Sequence, residues 1–276
     1  MSTSKDAFLA QYEKSQATSG TRVSQEDRMK KYFTTLLDKG KKSGEKRVRI
    51  LPTKDGSSPF VEVKFHEIQV DGQWMKLYDP AQEKKRSPLN EVRDELLMTG
   101  LDSDKELAKN YRSRTFYIVK LIDRDHEEDG PKFWRFKFNV KKEGILDKIA
   151  PIYRNSKDDI SDPEKGRDLI LSLSLSKSGN GKEYTTVSSV IPADPSLLSE
   201  DADLSKTWVE NPLTWSDVYS RKSEDYLDMV AKGEVPKWDN ANGKWASSAS
   251  GEVSLGGAAK EEDPQDAEEP DPELPF

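Results

Sequence analysis

The sequence predicts a mostly β protein: a small, partly open barrel of short strands interrupted by helical insertions, with an acidic tail expected to be disordered. Three stretches carry that expectation: a hairpin pattern over 60–78, a second β block over 111–139, and a strand pair over 168–190. Short strands joined by long polar loops suit a twisted barrel better than two stacked sheets.

Residues 1–22 are small and polar, with Phe8, Leu9 and Tyr12 as a short apolar set. Alone they are too short for a stable helix, so they read as a frayed terminus or as a peptide that orders on a neighbouring subunit. Ser24 and Asp27 give an approximate N-cap signal, and Met29, Tyr32, Phe33, Leu36 and Leu37 recur at helical spacing before Gly40. A helix is expected over 25–38. "KGKKSGEKRVRILP" then passes from a basic loop into a strand. Its alternation sets Arg47 and Arg49 on one face, Val48 and Ile50 on the other.

"PFVEVKFHEIQVDGQWMKLYD" is a hairpin signal, because two β-prone runs flank the tight-turn pair Asp71-Gly72. Residues 88–109 read as helical, with Leu89, Val92, Leu96 and Leu97 on one face. "RSRTFYIVKLID" and "KFWRFKFNV" are strands around the loop "RDHEEDGP". "GILDKIAPIY" is a short helix that Pro151 should end or bend. "DLILSLSLS" pairs with "EYTTVSSV" across "KSGNGK", and a last helix is expected from about Ser216 to Ala231. Past about residue 245 the Ala, Ser, Gly and acidic composition predicts no stable structure. The division expected is an N-terminal segment over 1–22, a core over 23–235 with a subdomain inserted at about 60–110, and a flexible linker and acidic tail over 236–276.

Charge is distributed unevenly. The net charge of -7 contains nine acidic residues against Lys260 in 252–276, whereas Arg28 to Lys54 holds ten basic residues against Asp38 and Glu45. The tail nearly cancels the basic segment, so the total says little about the partner of the folded part. Cysteine is absent and the histidines are His66 and His126, which excludes disulfides and thiolate chemistry and disfavours the common zinc sites. No run has the length and apolarity of a membrane span, and "MSTSKDAFLAQYEKS" lacks the apolar core of a secretory signal.

Motifs for phosphate loops, nucleophile elbows, zinc proteases and dinucleotide binding are missing. Asp123, Asp125, His126 and Glu128 offer metal-ligand chemistry within one loop, but the reading preferred for them is a solvated hairpin loop. Basic and aromatic residues interleave in "KKYF", "KRVRI", "YRSRTFYIVK" and "KFWRFKF". A single-strand binder needs both, cations along the phosphates and flat rings for the bases, although a β core also alternates aromatics. The acidic tail adds a tethered polyanion able to occupy a cationic groove until DNA displaces it. Its end, Pro275-Phe276, offers other proteins an apolar hook.

Two stretches carry a resemblance. "KRVRILPTKDGSSPFVEVKFHEIQVDGQWMKLYD" and "YRSRTFYIVKLIDRDHEEDGPKFWRFKFNVKKEGILDKI" resemble, in order and spacing, the core of the T-even phage single-stranded DNA-binding (helix-destabilising) proteins. The match covers about residues 46–150 and continues more weakly through the 168–191 hairpin. It implies an OB-type core, cooperative single-strand binding, an N-terminal self-association segment and a partner-binding tail, in the cytoplasm of an infected bacterial host. The DNA-binding positions it implies are Lys46, Arg47, Arg49, Tyr111, Arg112, Arg114, Phe116, Trp134, Arg135 and Phe138. The "ELPF" ending resembles the acidic Pro-Phe tip of bacterial single-stranded DNA-binding proteins and the terminal Phe of the T7-type phage equivalent. Asp271, Glu273, Pro275 and Phe276 are accordingly the expected partner-binding residues.

The family type also implies a structural zinc held by one His and three Cys. Here His66 aligns with the His, but Asp79, Ser87 and Asn90 stand near the Cys positions. Oxygen side chains do not recreate a soft-ligand site, so the expectation is no zinc and no other cofactor, with the hairpin and the 88–99 helix packing on apolar residues instead. The N-terminus departs too, since Lys5 alone makes a weak basic cluster. The expected function is sequence-independent binding and protection of single-stranded DNA in replication, recombination and repair, without catalysis. One alternative is an interaction protein of the same processes that does not itself bind DNA. The other is a metal-dependent nuclease using Asp123, Asp125 and His126.

Overall fold

In a computed structural model, residues 30–139, 144–177, 181, 183–219, 221–239, 242–248 and 253–254 are described. The expectations for 1–22 and for the acidic tail, including Asp271, Glu273, Pro275 and Phe276, lie outside the described residues.

The protein is mostly β, with one large antiparallel sheet and a few helices. Strands β1 (Ser43–Ile50), β2 (Phe60–Val70) and β3 (Gln73–Tyr78) precede β4 (Ser113–Asp123), around which the sheet is arranged. One edge of β4 takes two partners in succession: β2 along Ser113–Val119, then β1 along Leu121–Asp123. Both run antiparallel to β4, so they form two halves of one line, interrupted by the loop 51–59. The opposite edge pairs with β5 (Pro131–Lys137). β1 continues the sheet to β6 (Arg167–Lys177), and β6 to β7 (Glu183–Pro195). The β2–β3 hairpin turns at Asp71 and Gly72, whose φ values of 51° and 76° are those of a type I′ turn. A hairpin of β8 (Val235–Asp239) and β9 (Lys244–Ser248) follows, and β10 (Val253–Ser254) pairs with the end of β2.

The helices among the described residues are α1 (Pro88–Met98), α2 (Asp102–Asn110), α3 (Ile145–Asn155), α4 (Ala202–Glu210), α5 (Trp215–Val218) and α6 (Glu224–Ala231). β4 is buried on both faces. Val119 and Leu121 join Val48, Ile50, Trp134 and Leu171 beneath Ile145, Ile149 and Ile152 of α3. Phe116 and Ile118 join Val63, Phe65 and Phe133 beneath Val218 and Tyr219. A separate cluster, with Ile68, Leu77, Leu89, Tyr111, Leu227 and Val230, packs the far half of the hairpin on α1 and α6.

Several expectations change. The helix over 25–38 is absent in its described part: Tyr32 forms a parallel bridge to Phe133, and Phe33 donates to the Phe133 carbonyl at 2.9 Å. Phe33 then packs edge-on against Trp134 with centroids 5.6 Å apart, so sheet contacts override a helical periodicity. Residues 88–109 form two helices because Gly100 takes φ +71°, and Leu97 points to solvent. Pro151 lies inside α3 on its exposed side without ending it. The helix expected over 216–231 is split into α5 and α6, since Ser223 accepts from the Tyr226 N–H and starts a new helix. The linker expected from 236 begins instead with the β8–β9 hairpin, and β9 extends past 245.

One buried charge network ties these parts together. Asp168 of β6 accepts from Arg47 Nε at 2.7 Å, Arg49 Nη1 at 3.2 Å and Arg124 Nη2 at 3.0 Å. Arg49 is fully buried, and its Nη2 also donates to the carbonyls of Asp162 and Ser196. Gly166 leaves room for it: an added Cβ would lie 2.4 Å from the Asp162 oxygen and 2.8 Å from Arg49 Nη2. Removing one partner of a buried ion pair costs about 3–5 kcal/mol, so Asp168→Ala should lower the urea-unfolding free energy by about that amount. A loss below about 1 kcal/mol would show that the network holds little.

Lys120 donates to the carbonyls of Asn211 and Leu213 at 2.7 and 3.0 Å, and Lys54 to that of Glu210, together capping the end of α4. Burial, then the neighbouring Lys54 charge, push the Lys120 ammonium down to about 8. An unfolded lysine titrates near about 10.4. Between those values the unfolded chain binds more protons, so stability should rise with pH across that window. Lys120→Met should flatten this rise in urea titrations spanning about pH 7.5 to 10; equal slopes in the two proteins would contradict it.

Candidate nucleic-acid interface

Burial divides the ten expected DNA-binding residues. Arg49, Tyr111, Phe116, Trp134 and Arg135 are interior. Arg49 serves the Asp168 network. Trp134 and Phe116 fill opposite faces of the β4–β5 pair. Arg135 lies 4.2 Å from the Tyr219 ring centroid and 4.9 Å from that of Phe65, a cation held among rings. Tyr111 ends α2 and accepts from His66 through its carbonyl. In this arrangement none of the five offers a bare surface to a base.

The other five reach the surface in different places. Lys46 lies over the Phe33 ring at 5.2 Å, and Arg47 keeps half its side chain exposed while bound to Asp168. Arg112 is exposed just before β4. Arg114 and Lys137 share Glu67, at 3.2 Å each, on the Phe116 face. Phe138 is 43% exposed beyond the end of β5.

Phe138 belongs to a ring array that strand pairing builds on the Trp134 face. Tyr117 and Phe136 are directly opposed on β4 and β5, and Phe60 enters from β2 beside Val119. Ring centroids step from Tyr153 to Phe60 at 6.1 Å, to Phe136 at 6.3 Å, to Tyr117 at 6.2 Å and to Phe138 at 6.1 Å. Phe136 is buried and supports the row, whereas Phe60 and Tyr117 are partly exposed. The array begins where the apolar floor under α3 ends, so the rings have a packed side and an open one.

Charge around the rings is mixed. Lys64, exposed and in register with Thr115, stands on the same face of the sheet. Arg154 is exposed next to Tyr153 on α3. Glu62 accepts from the Tyr117 hydroxyl at 3.4 Å, and burial followed by this carboxylate raises the Tyr117 phenol above its usual range. The arrangement can stack planar groups and attract phosphates; it has no nucleophile–base pair.

The acidic loop gathers no metal site. Asp123 is buried and bound to Lys132 at 3.1 Å, while His126 is exposed. Among the described residues no three His, Cys, Asp or Glu side chains converge as metal ligands. The zinc implied by the resemblance fits the residues at its position no better. His66, Asp79, Ser87 and Asn90 do come together, but the Asp79 carboxylate already accepts from the Ala81 N–H and the Asn90 amide. Ser87 Oγ accepts from Asn90 as well, and thiolate is absent. Burial opposes the charge on Asp79, yet His66, the Ala81 N–H and Asn90 outweigh it and hold the carboxyl well below its usual range.

Strand phase alone was insufficient to find Phe60, Tyr117, Tyr153 and Lys64. Only Tyr117 lies within one of the aromatic-basic runs, and Phe116 and Tyr117 exchange roles if β4 is read one face over. The burial difference has a direct consequence. Trp134→Ala should destabilise the protein by about 3–5 kcal/mol, and Phe138→Ala by less than about 1 kcal/mol, in chemical denaturation. The reverse order would contradict the placement.

Residues 42–232, more than two thirds of the chain, match the model of the family described as gp32 DNA binding protein like. No curated protein matches the chain.

Proposed function

The chain belongs to the gp32 DNA-binding-protein-like family, and from that premise we propose that it binds single-stranded DNA without sequence preference on the Phe60–Tyr117–Phe138 ring array. The family is one of non-catalytic DNA-binding proteins. The observation that carries the reading is the row of rings at steps of 6.1–6.3 Å along one sheet face. Every base has a π face, so such a row accepts any sequence, and a duplex keeps its bases stacked on one another instead. Lys64 and Arg154 are assigned to phosphates, with Lys46, on the Val48 face of β1, extending the cationic track. An OB-type reading of the sheet is supported by its antiparallel strands and by the two partners that share one edge of β4.

The wider role in this proposal is protection of single strands in replication, recombination and repair in an infected bacterial host. The acidic tail recruits partner proteins through Asp271, Glu273, Pro275 and Phe276, and the N-terminal segment joins subunits along DNA. Support for the tail comes from its composition, nine acids over 252–276 together with the Pro275-Phe276 pair.

Fluorescence anisotropy with labelled oligo-dT and a matching duplex tests the reading. Single strands should bind more tightly, and affinity should fall steeply with salt. Tyr117→Ala or Phe138→Ala should each weaken single-strand binding by about 5- to 150-fold, the equivalent of about 1–3 kcal/mol per stacked base. Glu62→Gln, which removes a carboxylate beside the rings, should strengthen it. Equal affinity for duplex would overturn the stacking mechanism. No binding to either, even after removal of the acidic tail, would favour an interaction protein that leaves DNA to its partners.

A further inference from the structure

We propose that a metal-free knot of hydrogen bonds among Asp79, Ser87 and Asn90, with His66 set against Asp79 and bonded to the Tyr111 carbonyl, holds the inserted subdomain together, in the place where its relatives' resemblance implies a structural zinc. The four side chains come from three parts of the chain: β2, the end of the β2–β3 hairpin, and the first turn of α1 with its N-cap. Asn90 Nδ2 donates to both Asp79 oxygens, at 2.9 and 3.1 Å, and approaches Ser87 Oγ at 3.1 Å. The Ala81 N–H donates to Asp79 Oδ1 at 3.1 Å and starts the turn Pro80–Glu83. His66 Nδ1 lies 2.8 Å from the Tyr111 carbonyl, an acceptor, so this nitrogen carries the proton and the ring reaches the end of α2. His66 Nε2 then faces Asp79 Oδ1 at 3.5 Å.

The knot is built as an interior feature. His66, Asp79 and Ser87 are 0%, 2% and 6% exposed, and Leu77, Leu89 and Tyr111 surround them with apolar side chains. Apolar packing alone is therefore an incomplete account of this subdomain, because polar groups at such burial stabilise only when they satisfy one another. Asp79 is the hub, touched by β2, by the turn and by α1.

A structural zinc would have to displace these bonds. It would gain one imidazole and one carboxylate, with a neutral hydroxyl and a neutral amide to complete the set, instead of thiolates. Two polar atoms, His66 Nε2 and Asn90 Oδ1, make no hydrogen bond within the protein. They are the atoms through which any cation would enter, which makes metal content the sharpest test.

The full chain, produced in zinc-supplemented medium, is to be assayed for metal by elemental analysis and for thermal unfolding with and without a strong chelator. We expect no zinc above the buffer control and an unchanged Tm. Asn90→Ala and Asp79→Ala should each lower Tm by about 4 °C or more, and if Asp79→Ala fails to fold, Asn90→Ala decides the point. The triple variant D79C/S87C/N90C, with His66 retained, should gain one zinc per chain and a chelator-sensitive Tm. One tightly held zinc in the unaltered chain, or a Tm lowered by chelator, would overturn the proposal. So would a Tm indifferent to Asn90→Ala. A folded triple variant that takes up no zinc would show that the four positions do not converge as described.

Discussion

Burial of β4 on both faces is the constraint from which the rest of the molecule follows. Its backbone groups, cut off from water, are satisfied by pairing partners on both edges: β5 on one, β2 and β1 in line on the other. Two partners on one edge require the chain to leave and rejoin that line, which is what the loop 51–59 does. The cover on the Trp134 face is α3, and α3 is short. Where its apolar stripe stops, Tyr117 and Phe60 remain partly exposed and Phe138 exposed. The candidate interface is therefore a by-product of how far one helix reaches, with Phe136 fixing the row from below.

The same constraint explains where the positive charge goes. Arg28 to Lys54 looks like a binding track because of its ten basic residues. Much of that charge is tied into the fold: Arg49 and Arg47 neutralise Asp168, Lys54 closes the end of α4, Lys46 lies over Phe33, and Lys41 pairs with Asp38 at 2.6 Å. A surface pair such as Lys41–Asp38 contributes little to stability, whereas the Asp168 cluster is sealed from water and cannot be taken apart cheaply. Clustered cations in the sequence therefore mark both an interface and its scaffold, and burial separates the two.

The fold was legible in proportion to how local its signals are. The β2–β3 hairpin is set by Asp71-Gly72 and by alternation, and the β6–β7 pair by serine-interrupted aliphatics; both stand where expected. Val48 and Ile50 face the core opposite Arg49, again as alternation requires. The segment through Tyr32 and Phe33 misled, because helical spacing describes it as well as the edge pairing with Phe133 does. Helix α4 escaped notice, although Asp201 accepts from the N–H groups of Asp203 and Leu204 and Trp208 is buried. The site was less legible still. In a strand with no polar face, period-2 alternation separates two faces without saying which one opens, so Phe116 was as plausible as Tyr117, and nothing in the alternation shows that α3 covers Trp134 on the Tyr117 face. His66, Asp79, Ser87 and Asn90 are scattered over 25 positions of sequence, and only the hairpin brings them within hydrogen-bonding reach.

The claim at the centre of this account is that bases stack on the Tyr117 side of the β4–β5 pair. Photocrosslinking of the full chain to oligonucleotides carrying 5-iododeoxyuridine, followed by peptide mapping, locates the stacked rings directly. The account expects adducts on Phe60, Tyr117 and Phe138, and none on Phe116 behind the sheet or on Trp134, which is buried on the same face beneath α3. Adducts confined to the Arg112–Arg114 side, or spread without preference over exposed aromatics such as Trp238, would contradict it.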